Sequence, residues 1–169
     1  MNGDHPAVVM AIVPNARGFG YAVFEGALPV DWGVSDVAGA DRNKTYMRRI
    51  TALVGKYEPD VLLLRHPTET RSPRVADLIR ATATVARAAG ALCVPVPRAQ
   101  VREAFGYLPR PTRVAIAHAI AERIAFFEPL LPPVRKIWNS EDRRMGLFDA
   151  VALTLAYLDG GSGGREAAA

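Results

Sequence analysis

Two groups of residues in this sequence have types and spacings suited to chemistry. The first is cationic: Arg110 and Arg113 flank a loop, and Arg135, Lys136, Arg143 and Arg144 surround Trp138. Guanidinium groups bind phosphate oxygens and an indole face stacks on bases, so this grouping suits nucleic acid. The competing reading is scattered solvated charge around a Trp138 packed in the core. Arg42, Lys44, Arg48 and Arg49 form a further basic run. The second group is titratable. Asp149 sits in a segment that is apolar almost all round from Met145 to Leu158, and a carboxylate shielded from water needs a partner. His66 reads either as a base or ligand or as polar surface, whereas His118, among alanines and isoleucines, reads as a satisfied helix histidine. Glu141 and Asp142 could be ligands, but acids at a helix start are expected for capping and dipole reasons.

Composition bounds what these groups can belong to. With 169 residues, 50% of them apolar and 22% charged, the chain fits one ordinary soluble domain with a substantial core. A net charge of +4 and a pI near 9.6 are compatible with a polyanionic partner, a property shared with many unrelated soluble proteins. The single cysteine, Cys93, cannot form an internal disulfide, and its neighbours Ala91, Leu92 and Val94 give it the look of a buried strand residue, which fits a reducing cytoplasmic setting. The opening Met1-Asn-Gly-Asp-His-Pro6 lacks a basic stretch followed by an apolar one, so no export signal or membrane anchor is expected.

The elements that must position the candidate residues follow from periodicity and turn chemistry. Residues 7–13 form an apolar run of strand length, Pro14 and Asn15 are turn residues, and 18–24 mix glycine and aromatics as an antiparallel return strand would. Val30, Trp32, Val34 and Val37 alternate within a third strand over 28–37. A helix is predicted over 41–57, with Asp41 as its cap and Tyr46, Ile50, Leu53, Val54 and Tyr57 as its apolar stripe. Val61 to Leu64 is a short strand without polar alternation, as in a central parallel strand covered on both faces. Helix 73–89 opens on Pro73 and stops at Gly90. A second buried strand is expected over 91–96, then helices over 98–105, 112–127 and 141–158, with proline-rich residues 128–133 interrupting the last two. Residues 1–159 are one domain, and the Gly-rich 160–169 have little to bury and read as a flexible tail. The result is an α/β fold: a five-stranded mixed sheet, three strands antiparallel then two parallel, with helices on both faces.

The order of apolar strand, Pro-X-X-Arg turn and Gly-Tyr-X-Val strand at 10–24 resembles the opening of the RuvC-type Holliday-junction resolvases, which have an RNase H-like fold. The resemblance spans most of 7–158. In that family the first strand runs into an Asp-Pro-Gly turn; Val13 stands where the Asp belongs. The family's Pro-Asp-strand segment, matched by Pro59 to Leu64, leads into a catalytic Glu; here Arg65 follows. Val101-Arg-Glu-Ala-Phe-Gly106 is similar to a Val-Lys/Arg-X-X-X-Gly stretch. Phe148-Asp149-Ala150 resembles the final acidic motif, so Asp149 matches its last acid and Gly146 the acid three residues before.

One of four family acids is therefore present. The family's phosphodiester cleavage resembles two-metal catalysis, and magnesium needs several converging oxygen ligands. Val13 and Gly146 offer no side-chain ligand, and Arg65 brings a cation to the ion's place. The resemblance thus implies a RuvC-like pseudonuclease with no intact catalytic residue at 13, 65, 146 or 149, no metal or other cofactor, and Arg65 as the partner of Asp149. Its expected ligands are branched or duplex nucleic acid, bound through Arg110, Arg113, Arg135, Lys136, Arg143 and Arg144, or a protein. The alternatives are a Mg-dependent endonuclease with a site rearranged around Asp149, Glu141, Asp142 or His66, and a structural protein that dimerises, for instance through the alanine-rich helix 112–127.

Overall fold

The computed structural model describes residues 6–166, with side chains placed through residue 161. Strand β1 (Val8–Pro14) turns into β2 (Gly18–Glu25) through a tight loop in which the Asn15 carbonyl oxygen Oδ1 accepts from the amides of Arg17 and Gly18 at 2.9 and 3.0 Å. A two-residue turn, Gly26-Ala27, leads to β3 (Leu28–Asp36), with Gly26 at φ 59 in the left-handed region that glycine adopts without penalty. Helix α1 (Arg42–Tyr57) crosses back to β4 (Val61–Leu64), and α2 (Pro73–Ala88) crosses to β5 (Leu92–Pro95). The sheet order is β3-β2-β1-β4-β5, with β1, β2 and β3 antiparallel and β1, β4 and β5 parallel. This is the mixed sheet expected from the sequence.

Strand alternation sorts the core into two halves. Met10, Ile12, Leu62 and Leu64 face α1 and α2, where they meet Tyr46, Ile50, Val54, Leu78 and Ile79. Val9, Ala11, Val13 and Leu63 face the other way, toward α5 (Met145–Glu166). Helix α5 is buried on nearly every side because it is a middle layer: β1 and β2 lie beneath it, while α3 (Arg98–Ala104) and α4 (Arg113–Arg123) cover it. That explains its lack of an amphipathic stripe. Its seat on the sheet is a backbone contact. A Cβ built on Gly20 would stand 2.1 Å from the carbonyl carbon and oxygen of Gly146, so β2 and the first turn of α5 touch with no side chain between them.

The structure corrects several boundaries. Helix 112–127 ends at Arg123; Ile124 is extended, and a 3-10 segment, Ala125–Leu130, follows. The break inserts Phe127 into the core, 4.9 Å from the Trp32 ring and 6.2 Å from Phe148 between centroids, a tertiary contact that outweighs local helix preference. Ile116, Ala117 and Ile120 of α4 are buried within the chain, while Val114 and, beyond the helix, Phe126 are exposed. The last helix starts at Met145 rather than 141. Helix α5 then continues to Glu166 through the glycines expected to form a flexible tail, extending a helix already fixed by burial upstream; residues 167–169 lie outside the described residues. Strand β5 is an edge strand rather than a buried one: Leu92 is 62% exposed, Cys93 is half-buried, and Pro95, which lacks an amide donor, suits an edge. Asp41 makes no capping bond to α1. Among the described residues no helix is long and apolar enough to cross a membrane.

The Gly20 contact makes a sharp prediction. Gly20→Ala pushes α5 off β2 and is expected to cost roughly 3 kcal/mol or to prevent folding. Gly55→Ala, in α1 with open space around its Cβ, is expected to stabilise by about 0.5–1 kcal/mol. Urea unfolding of both variants tests the pair; a Gly20→Ala protein as stable as the parent would refute the contact.

Candidate functional site

Asp149 lies on the first turns of α5 with its side chain 10% exposed. Alternation along β4 brings Arg65 to it: Leu63 faces α5, so the residue two further on leaves the strand end toward the same face. Arg65 Nη2 is 3.2 Å from Asp149 Oδ2. This is the pairing expected from the sequence. The structure adds a second cation that the sequence reading had assigned to nucleic acid. Arg113, the first residue of α4, donates through Nε to Asp149 Oδ1 at 3.1 Å and through Nη2 to Oδ2 at 2.5 Å, and its Nη1 also reaches Glu141. The bidentate fork matches the carboxylate edge. Burial opposes the charge on Arg113, but the bonds and charge of Asp149, joined by Glu141, outweigh it and hold the guanidinium protonated more firmly than usual. Thr112, whose hydroxyl accepts from the Ala115 amide at 3.2 Å, fixes the start of α4 and so the reach of Arg113.

A divalent ion does not fit this donor set. Both oxygens of Asp149 are taken by guanidinium groups. Val13 is 1% exposed and belongs to the apolar cluster with Met145, Leu147 and Phe148. Gly146 has no side chain to offer, although a Cβ there would meet nothing closer than Asn15 Nδ2 at 3.4 Å. Position 146 thus has room for a Cβ but supplies no ligand. No cluster of three or more metal-ligating side chains occurs among the described residues. Of the other candidates, Asp142 turns to Arg144, His66 caps the 3-10 turn Pro67–Glu69 by accepting from the Thr68 amide, and His118 is exposed on α4.

The proposed nucleic-acid residues divide. Arg143 is held by Asp36 at 2.6 Å and Arg144 by Asp142 at 2.7 Å, while Arg113 belongs to the Asp149 site. Arg110 is exposed, Arg135 donates to the Asn139 carbonyl, and the Lys136 ammonium lies 5.6 Å from the Trp138 ring centre. Trp138 itself is 79% exposed, so its placement in the core is excluded.

Sequence reading missed a cleft of about 730 Å3 that opens beside Asp149 and is lined by Arg65, Arg71, Arg98, Arg102 and Arg113. These come from the end of β4, the loop before α2, α3 and α4. The spacing of Arg98 and Arg102, four apart on one helix face, was the available signal. Which element that face confronts is a tertiary fact.

Two predictions come from these contacts. Arg113→Ala leaves Asp149 with Arg65 alone and frees Glu141; allowing for a half-exposed guanidinium, a loss of about 1–3 kcal/mol is expected. In a double-mutant cycle with Asp149→Asn, coupling of roughly 1 kcal/mol or more is expected, and additivity would remove the pair from the fold's stability. Hydrogen bonding and charge from Arg144 lower the Asp142 carboxyl from its ordinary 3.8 to about 2. The native pair therefore contributes stability above pH 4 that is lost as pH falls from about 4 to about 2. The Arg144 amide, 2.9 Å from Asp142 Oδ1, should titrate near pH 2 by NMR, and return toward the ordinary carboxyl range when Arg144 is replaced by Ala.

No protein-family model matches the chain, and no curated protein does. Solved structures do. Thermus thermophilus RuvC is 19% identical with a TM-score of 0.65, over 92% of this chain and 96% of that one. The same organism's RuvC in complex with a Holliday junction substrate is 18% identical with a TM-score of 0.56, over 89% and 91%. The yeast mitochondrial Holliday junction resolvase Ydc2 is 11% identical with a TM-score of 0.57, over 93% and 80%. At these identities the likeness speaks for architecture alone, and the chain has the RuvC-like, RNase H-like fold.

Proposed function

We propose that this chain is a RuvC-like pseudonuclease that binds structured nucleic acid without cleaving it. The observation that carries this reading is Asp149 held between Arg65 and Arg113 at the position where the resemblance calls for a metal ligand. Two guanidinium groups neutralise the carboxylate that would otherwise recruit a cation, and the neighbouring positions are apolar at Val13 and bare at Gly146. A protein of similar fold, Thermus thermophilus RuvC in complex with a Holliday junction substrate, supports a nucleic-acid ligand. So does the cationic surface: the exposed segment between Leu131 and Arg144 carries Arg135 and Lys136 beside an uncovered Trp138, with Arg110 at the mouth of α4.

The test uses four-way and linear duplex DNA. Binding is expected without divalent ions and should weaken roughly 10³-fold between about 50 and 200 mM salt, as six or so phosphate contacts require. No nicking is expected with magnesium or manganese. Arg135→Ala with Lys136→Ala should weaken binding of all sequences alike and flatten the salt slope by about 2. A manganese ion ordered at Asp149 in a crystal soak, or cleavage that disappears with Asp149→Asn, would overturn the pseudonuclease reading in favour of a rearranged endonuclease. Salt-independent or absent DNA binding would point instead to a protein partner.

A further inference from the structure

Between the 3-10 segment Ala125–Leu130 and α5 the chain makes a turn of unusual composition. The Asn139 amide donates to the Lys136 carbonyl at 3.0 Å, which closes a four-residue turn with Ile137 and Trp138 at its two central positions. Such positions ordinarily take glycine, proline, asparagine, aspartate or serine. Here two large apolar side chains occupy them, Ile137 96% and Trp138 79% exposed, and Val134 behind them is 95% exposed. Folding gains little from side chains that stay in water. The turn is nevertheless held. Arg135 Nε donates to the Asn139 carbonyl at 2.7 Å and braces it. On the way in, Leu130 and Leu131 pack against the core, and Pro132 and Pro133 restrict the backbone. On the way out, Glu141 is bound by Arg113 and Arg143 by Asp36. Anchored at both ends, the loop presents an apolar tip directly after two cations, Arg135 and Lys136.

Exposed apolar side chains on a fixed support suit a partner that has an apolar face to offer. An intact duplex offers phosphates and base edges, and its base faces are covered by their neighbours. A face becomes available where a step is unpaired or opens easily, and apolar side chains wedge between bases at such steps. From the placement of the tip beside its cations, we infer that the Ile137-Trp138 turn is a wedge for an interrupted duplex, one carrying a mismatch or a bulge. Trp138 stacks on the uncovered base, Ile137 fills the opened step, and Arg135 and Lys136 take the flanking phosphates. The wedge is separate from the cleft beside Asp149; Arg113 joins the two through Glu141 at the foot of the loop. An anionic lipid surface also answers apolar and cationic groups together, but its hold grows with the apolar area buried, and the few side chains of one turn bury little. The inference rests on the nucleic-acid reading given above and narrows it to a class of duplex.

The experiment measures, by fluorescence anisotropy in EDTA, binding of the full chain to a labelled intact duplex and to the same duplex carrying a single mismatch or a small bulge. The interrupted duplex should bind about tenfold or more tightly, as one stacked base allows. Its binding should quench tryptophan emission, and the quenching should be lost with Trp138→Phe, which leaves Trp32 as the reporter. Both affinities should fall between about 50 and 200 mM salt while their ratio holds, because stacking releases no counterions. Ile137→Ser with Trp138→Ser should bring the ratio toward one, and Trp138→Phe should keep most of it, with thermal unfolding midpoints within a few degrees of the parent. Equal binding of the two duplexes, a ratio untouched by the serine substitutions, or a ratio that vanishes with salt would overturn the wedge. So would Trp138-dependent binding to phosphatidylglycerol vesicles without preference for the interrupted duplex, which would assign the tip to a lipid surface. Duplex binding that persists without the preference removes the wedge and spares the nucleic-acid reading, whereas no binding to either duplex sinks that reading and the wedge with it.

Discussion

Helix α5 rests on β2 through the backbone of Gly146 against Gly20, and most of what is unusual in this molecule depends on that contact. Without an intervening side chain the helix sits low on the sheet, close enough for Asp149, one turn on from Gly146, to meet a side chain leaving the end of β4. The same low seat leaves room above α5 for α3 and α4, which bury its outer side. Those outer helices deliver Arg98, Arg102 and Arg113 to one cleft. A helix held further from the sheet by even one methyl would carry Asp149 away from Arg65 and loosen the layer that closes the site.

The electrostatic character of the site follows from what that geometry brings together. A cluster of carboxylates at the ends of parallel strands repels itself and is relieved by cations. Here a single carboxylate, Asp149, is met by arginines from two elements. Five arginines against Glu69 and Asp149 leave the cleft with surplus positive charge. Arg113 also ties the cleft to the exposed segment carrying Trp138, because one guanidinium binds both Asp149 and Glu141. Arg143 on Asp36 adds a second tether from that segment to β3.

Much of this was legible in the sequence, for identifiable reasons. Strand β4 could be placed because Val61 to Leu64 is apolar without alternation and bounded by Pro59 and a loop. Its neighbour Arg65 was matched to Asp149 through the family resemblance, and the strand's parity with Leu63 places it on that face in the structure. Asp149 stood out because a charge in an apolar helix must be answered locally. The misses share a cause. Helix α4 stops early because Phe127 is drawn beneath Trp32, and β5 is exposed because it falls at the sheet edge; neither fact is local. Arg113 was visible as a charge beside a loop, but its fork on Asp149 depends on α4 lying across α5. The arginines of the cleft come from elements separated by long stretches of chain, and only the fold makes them neighbours.

The residues at 13 and 149 each suit the electrostatics of their surroundings. Val13 is buried among Met145, Leu147 and Phe148, and removing its side chain from water contributes about 1.5 kcal/mol. An ionised carboxylate in that place, with no ion to answer it, would cost several kcal/mol. Asp149 is in the opposite position. Taking away its charge would leave Arg65 and Arg113 close together with Glu141, on Arg113, as the remaining counterion of the pair. Once Arg65 occupies the strand end, an apolar residue at 13 and an acid at 149 are each what the electrostatics favour. The pattern is internally consistent as a structural ion-pair network, in which the Asp149 carboxylate ties α4, α5 and the end of β4 together.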